Sequence, residues 1–175
     1  MQVSPSVLLR KQVQTAYKDS FRAKLTSEID AGSAEGVIWL CTLHRELIIR
    51  LCSYLKRNTK IQDEIAEHCD PIIFKQLIEN KCYKLEDLSG LIHYVYSWLQ
   101  KLCAPIRDEH LAGSLEDLNG CMVECVEGKK KFSSLICDFI IKVHGDMDVL
   151  DGDFESKECK EFKAFLKSHG HDVPS

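Results

Sequence analysis

Nine cysteines and seven histidines carry most of the reactive potential in this chain, and metal binding is the first chemistry to ask of them. The cysteines stand singly at 41, 52, 69, 82, 103, 121, 125, 137 and 159. No pair has the C-x-x-C or H-x-x-x-H spacing of a structural zinc site. Cys121 and Cys125 lie one helical turn apart, and His169 and His171 sit in a polar tail. Calcium fares no better. Asp146, Asp148, Asp151, Asp153 and Glu155 approximate an EF-hand loop, but counting from Asp146 puts Asp151 at position six, where glycine is required, and Lys157 at position twelve. The expected form of that stretch is a solvated loop between two helices, with no metal bound.

A nucleophilic thiol would need a base and an oxyanion hole beside it. Cys103 lies just before Pro105 with His110 seven residues on, and Cys41 lies near His44. Neither is set in a cysteine-hydrolase signature, and the chain has no phosphate-binding loop, dinucleotide fingerprint, G-x-S-x-G or kinase motif. The sequence therefore predicts no catalytic residue, no cofactor and no enzyme.

Helices must position whatever remains. Val37, Leu40, Cys41, His44, Leu47, Ile48, Leu51, Cys52 and Leu55 recur at steps of three and four within a predicted helix from Gly36 to about Lys56. Asn58 or Thr59 can cap a short helix through Ile61, Ile65 and Cys69. Asp70 and Pro71 then restart the chain as cap and first helical residue. From Leu85 to Cys103, the stripe Leu85, Leu88, Ile92, Val95, Leu99 and Leu102 is widened by Leu91, Tyr94 and Trp98, which predicts a central helix. Gly90 weakens that helix by ~1 kcal/mol relative to alanine, and such a glycine can admit a close neighbour.

The segment through Leu111, Leu115 and Leu118 reads as broken by Gly113 and Gly120, before a shorter helix from Cys121 to Val126. Phe132, Leu135, Ile136, Phe139, Ile140, Val143 and Met147 mark a strong amphipathic helix, and Cys159, Phe162, Phe165 and Leu166 a weaker last one. Val13, Tyr17, Phe21, Leu25 and Ile29 suggest a long N-terminal helix. No alternating strand pattern or internal repeat interrupts this series. The expected fold is all-α: a single domain over 1–175, a bundle of about seven to nine helices, with 1–35 an N-terminal helix or arm and 168–175 a disordered tail.

A net charge of -4 and a pI near 6.0 argue against nucleic acid or an anionic membrane as partner. Lys129, Lys130 and Lys131 read as a solvated first turn. No apolar stretch is long enough to span a bilayer, and Met1 to Pro5 lacks the features of a secretion signal. With an odd cysteine count, this predicts reduced thiols in the cytoplasm or nucleus, most of them small core hydrophobes.

One segment stands apart: Leu102, Cys103, Ala104, Pro105, Ile106, Arg107, Asp108 and Glu109. Pro105 disfavours helical backbone at Ala104, which ends the preceding helix, and itself suits the first turn of the next. Asp108 and Glu109 then place negative charge near that helix's N-terminus. Arg107 can pair with them or with a neighbouring helix. The eight residues read as an architectural corner.

This corner, preceded by Leu85-Glu86-Asp87-Leu88 and an apolar helix, resembles the Leu-Cys-Ala-Pro-x-Arg-Asp corner of the T-complex protein 11 family. Leu40 to Leu55, Ile61 to Ile65, Asp70 to Asn80 and Glu158 to Leu166 are similar in order to its other elements, so the resemblance covers roughly residues 37–167. Members of that family are longer, which makes this chain a fragment, or a short or divergent member of cellular or viral origin. The resemblance implies a helical adaptor or regulator linked to cAMP and protein kinase A signalling and to sperm function, with no catalytic residues to carry over.

The leading expectation is a module that binds a protein partner through an apolar face, with Trp39 and Trp98 as candidate interface aromatics. Burial in the core is expected for Trp98. The alternatives are a homodimer with its seam along Val13 to Ile29, and a small-molecule or lipid carrier with an apolar cavity.

Overall fold

The computed structural model describes residues 5–103 and 105–168. Among them the chain is all-α, with no strand. In chain order the helices are α1 (Pro5–Asp30), α2 (Ala34–Ser53), α3 (Thr59–His68), α4 (Pro71–Glu79), α5 (Leu85–Leu102), a 3-10 turn (Pro105–Arg107), α6 (Asp108–Val126) and α7 (Phe132–Ser168).

Local chemistry accounts for most of the helix ends. Gly32 ends α1 in left-handed backbone (φ +67°), with its N–H donating to the Ile29 carbonyl and that of Ser33 to the Glu28 carbonyl. Ser33 then caps α2 by accepting from the Gly36 N–H at 3.0 Å. Asn58, rather than Thr59, caps α3, accepting from the Ile61 N–H at 3.1 Å. Asp70 accepts from the Ile72 N–H at 2.8 Å with Pro71 in the first turn of α4, as the sequence predicts.

Two expected breaks do not occur. Gly113 and Gly120 are absorbed into a continuous α6, and the acidic stretch from Asp146 to Asp153 is a run of turns inside α7. The structure therefore has fewer and longer helices than the upper end of the expected range. A glycine costs a helix only ~1 kcal/mol. Burial of Leu111, Leu118 and Met122 on one face of α6 outweighs that.

The centre of the bundle is the first half of α7, which packs against α1, α2, α5 and α6. Its residues Leu135, Ile136, Phe139, Ile140, Val143 and Met147 are all buried. α5, expected to be a central helix, buries Leu88, Ile92, Val95 and Leu99 and packs on α6 and α7. The expected close approach at Gly90 is displaced. Nothing lies within 4 Å of where a Gly90 side chain would begin, whereas a Cβ on the buried Gly36 would meet the Glu28 backbone carbon at 2.9 Å. Gly36→Ala must push α1 from α2, at a cost that exceeds the ~1 kcal/mol helix-propensity gain. Its urea midpoint should fall, corresponding to a net loss of about 1–2 kcal/mol.

Candidate functional site

The corner between α5 and α6 is built as a bracket onto α7. The α5 helix ends at Cys103, whose backbone is extended (ψ 157°) and whose N–H donates to the Leu99 carbonyl. Pro105 opens the 3-10 turn rather than α6 itself, which starts at Asp108. Arg107 turns away from Asp108 and Glu109 and reaches α7. Its Nε and one terminal nitrogen donate to the two carboxylate oxygens of Asp153, at 2.8 and 3.0 Å. This fork-on-fork geometry holds the Asp153 carboxyl below the ordinary range. The Cys103 thiol donates to Asp108 at 3.1 Å. Ile106 and Glu109 are exposed, and Ala104 lies outside the described residues.

Asp153 is one member of a set. Asp146 and Asp153, seven residues apart, share one face of α7, while Asp148 and Asp151 share another. Asp146 accepts from the Tyr96 hydroxyl at 2.7 Å and lies 2.9 Å from His110 Nε2. Asp148 and Asp151 both accept from Arg50 of α2, at 2.8 and 2.7 Å, and Asp151 also accepts from the Tyr54 hydroxyl at 2.7 Å. The acidic stretch expected as a loop is thus a ladder of acceptors. It ties α2, α5, α6 and the corner to one helix.

These contacts also decide the fate of the reactive groups. His110 faces Asp146, and the Cys103 thiol, held by burial and by Asp108, is pushed up to about 11. Burial raises the Cys41 thiol, while His44 stacks on Phe74 at 3.9 Å between ring centres and is driven down to about 4 by desolvation. Thiols raised in this way are poor nucleophiles at neutral pH. Cys69 and Cys137 are buried, while Cys41, Cys52, Cys103, Cys121 and Cys125 are half-buried and Cys82 is exposed, so the cysteines are less interior than expected. Cys159 has no described side chain. No group of three or more His, Cys, Asp or Glu able to hold a metal ion occurs among the described residues. His169, His171 and the expected 168–175 tail lie outside them, apart from Ser168 at the end of α7.

Neither tryptophan is fully buried or fully exposed. Trp39 lies between Phe21 (6.0 Å between ring centres) and Lys24, whose ammonium is 5.2 Å from its ring. Trp98 is half-buried at the edge of the core, not inside it, under the Lys101 ammonium at 4.7 Å. The lysine run is also not uniformly solvated: Lys130 is tucked against Asp138 and Cys121. On α1, Leu25 is buried, and Phe21 and Ile29 pack against the core, while Tyr17 and Leu9 project outward. Much of the stripe expected to form a dimer seam is thus already covered within the chain.

Two clefts flank α4. On one side, α2 and α4 enclose an open groove of about 790 Å³, whose walls include Val37, Ile38, Cys41, Pro71 and Ile72, with Arg45 and Lys75 at its edge. Ile38 and Ile72 are 61% and 67% exposed, unusual for isoleucine. On the other side, a cleft of about 340 Å³ lies among α2, α3, α4 and α5. The three-and-four spacing leaves Ile38 off the core stripe of α2 but does not separate Ile72 from the core positions of α4, and the groove between them appears only once α4 is docked.

A family model described as T-complex protein 11 matches residues 2–135, more than half of the chain. The match takes in α1, ahead of the expected start at 37, and ends in the first turn of α7, short of Glu158 to Leu166. No curated protein and no solved structure matches the chain.

Proposed function

The chain belongs to the T-complex protein 11 family, and from that premise we propose that it is a non-enzymatic protein–protein interaction module, an adaptor or regulator in intracellular signalling. Its setting is the cytoplasm, in the cAMP and protein kinase A pathways that the family resemblance implies. The observation that carries this reading is the α2–α4 groove, where Ile38 and Ile72 stand open to solvent along an apolar trough. An amphipathic helix from a partner protein fits such a trough, its apolar face on the isoleucines and an acidic flank toward Arg45. Two features support the absence of catalysis: the Cys41 and Cys103 thiols are raised by burial, and the histidines nearest them in sequence, His44 and His110, are packed on Phe74 and engaged with Asp146. No helix among the described residues is long and apolar enough to cross a membrane.

The test compares proteins retained from cell extract by the wild type, by Ile38→Asp with Ile72→Asp, and by Ile49→Asp. Ile49 is equally exposed on α2 but does not line the groove. The groove variant should lose a partner that the control keeps, while its melting temperature stays near the wild type's. Identical sets for all three would remove the groove as the docking surface. Titration with purified regulatory and catalytic subunits of protein kinase A tests the pathway directly.

A further inference from the structure

The second cleft has chemistry that the groove lacks. Its rim carries four carboxylate side chains, Glu67, Asp70, Glu86 and Asp87, and no Lys or Arg among the described residues lines it. Asp70 and Asp87 are already engaged as helix caps, accepting from the Ile72 and Lys84 N–H groups. Glu67 and Glu86 have no ion pair or side-chain hydrogen bond among the described residues. The wall is aromatic, with Phe74 and Tyr83 meeting edge to face at 5.0 Å between ring centres. His44 also lines the cleft. It is 1% exposed, and its Nδ1 is buried with no hydrogen-bond partner. An unpaired buried polar atom is costly, and here it coincides with a cleft whose fixed charges are all negative, with His68, stacked on Tyr94, also in its lining.

We propose that this cleft receives an arginine side chain presented by a partner protein. A guanidinium supplies several N–H donors in one plane, enough to reach a rim carboxylate and the unpartnered His44 nitrogen together, while one of its faces packs on Tyr83. Burial keeps the His44 ring neutral at physiological pH, so one ring nitrogen is free to accept. A quaternary ammonium would satisfy the carboxylates but leave that nitrogen unpaired. Gly90 lines the cleft with nothing within 4 Å of its missing side chain, which leaves room for an incoming group. The protein source of the arginine rests on the interaction-module reading; the guanidinium chemistry stands without it.

The experiment titrates the isotope-labelled 175-residue protein with Nα-acetyl-arginine amide and follows the backbone amides of Ile73, Gly90 and Leu91 by NMR. Saturable shifts are expected, with Kd of about 1 mM for so small a probe. The neutral isostere Nα-acetyl-citrulline amide and choline should each bind about 10-fold more weakly or worse, the factor expected for loss of a charged hydrogen bond. Glu67→Gln with Glu86→Gln, both exposed, should weaken arginine binding by a similar factor. His44→Leu should abolish it while melting near the wild type at neutral pH, because removal of the unpaired nitrogen offsets loss of the ring stack on Phe74 and leucine fills most of the volume. Absence of shifts at these amides, equal binding of citrulline or choline, or full binding by the glutamine variant each overturns the inference. Tighter binding of Nα-acetyl-arginine, whose free carboxylate the rim should repel, would overturn the assignment to a protein-borne side chain. None of these results bears on the α2–α4 groove, which the isoleucine variants test separately.

Discussion

Asp146→Ala is expected to lower the unfolding free energy by about 3 kcal/mol, a large share of a typical domain's stability. Asp146 is itself only 5% exposed and gathers the hydroxyl of the fully buried Tyr96 and the imidazole of His110. Deleting the carboxylate leaves the phenol in the core with no acceptor, and desolvation and the Asp146 bond hold that phenol protonated in the intact protein. The decisive measurement is a double-mutant cycle by urea unfolding. In the wild type, Tyr96→Phe should cost about 1.5–3 kcal/mol, because a buried carboxylate loses a donor. In the Asp146→Ala background the same change should restore about 1 kcal/mol, because it removes an orphaned hydroxyl. A cost of the same sign and size in both backgrounds would show that the two groups are not coupled.

The second large effect is loss of stability in mild acid. Desolvation holds His44 near a pKa of about 4, against 6.5 for the free side chain, and His144 is shifted downward for the same leading reason. Above pH 6.5 both states of His44 are neutral and it contributes nothing to the pH dependence. Between about 6.5 and 4 the unfolded chain binds a proton that the folded one refuses, so stability falls as pH falls. The His44 contribution is on the order of 3 kcal/mol across that window, with His144 adding in the same direction. Asp153, whose pKa is lowered by Arg107, adds a loss only below the ordinary carboxylate range. Urea midpoints measured across this interval should drop steeply for the wild type and less for His44→Leu. A His44 ring resonance titrating near 6.5 in the native protein would refute the explanation.

Helix positions were legible because they depend on short-range order. The three-and-four spacing in α2, α5 and the first half of α7 marks Leu40, Leu47, Leu51, Leu88, Val95, Phe139 and Val143, and all of these are buried. The caps at Asn58 and Asp70, and the end of α5 near Cys103, are likewise readable within a few residues. The corner residues stood out as a group, and the wording of that corner is what the family resemblance rests on.

The partners of those residues were not legible, because they lie far along the chain. Arg107 finds Asp153 forty-six residues on, and Arg50 finds Asp151 at a separation of 101. A run of aspartates with no visible cations resembles a solvated loop. It becomes a stable stretch of helix when α2, α5 and α6 bring Arg50, Tyr54, Tyr96 and His110 against it. The same holds for exposure. Ile72 and Phe74 are both apolar residues of one short helix, and only the docking of α4 buries Phe74 and leaves Ile72 in solvent. Sequence alone determined where most of the helices lie, since a helix closes its hydrogen bonds within four residues, but not the continuity of α6 through Gly113 and Gly120 or of α7 through its aspartates. Which side chains pair, which stay uncovered and where clefts open was decided by tertiary packing, since those contacts join residues tens of positions apart.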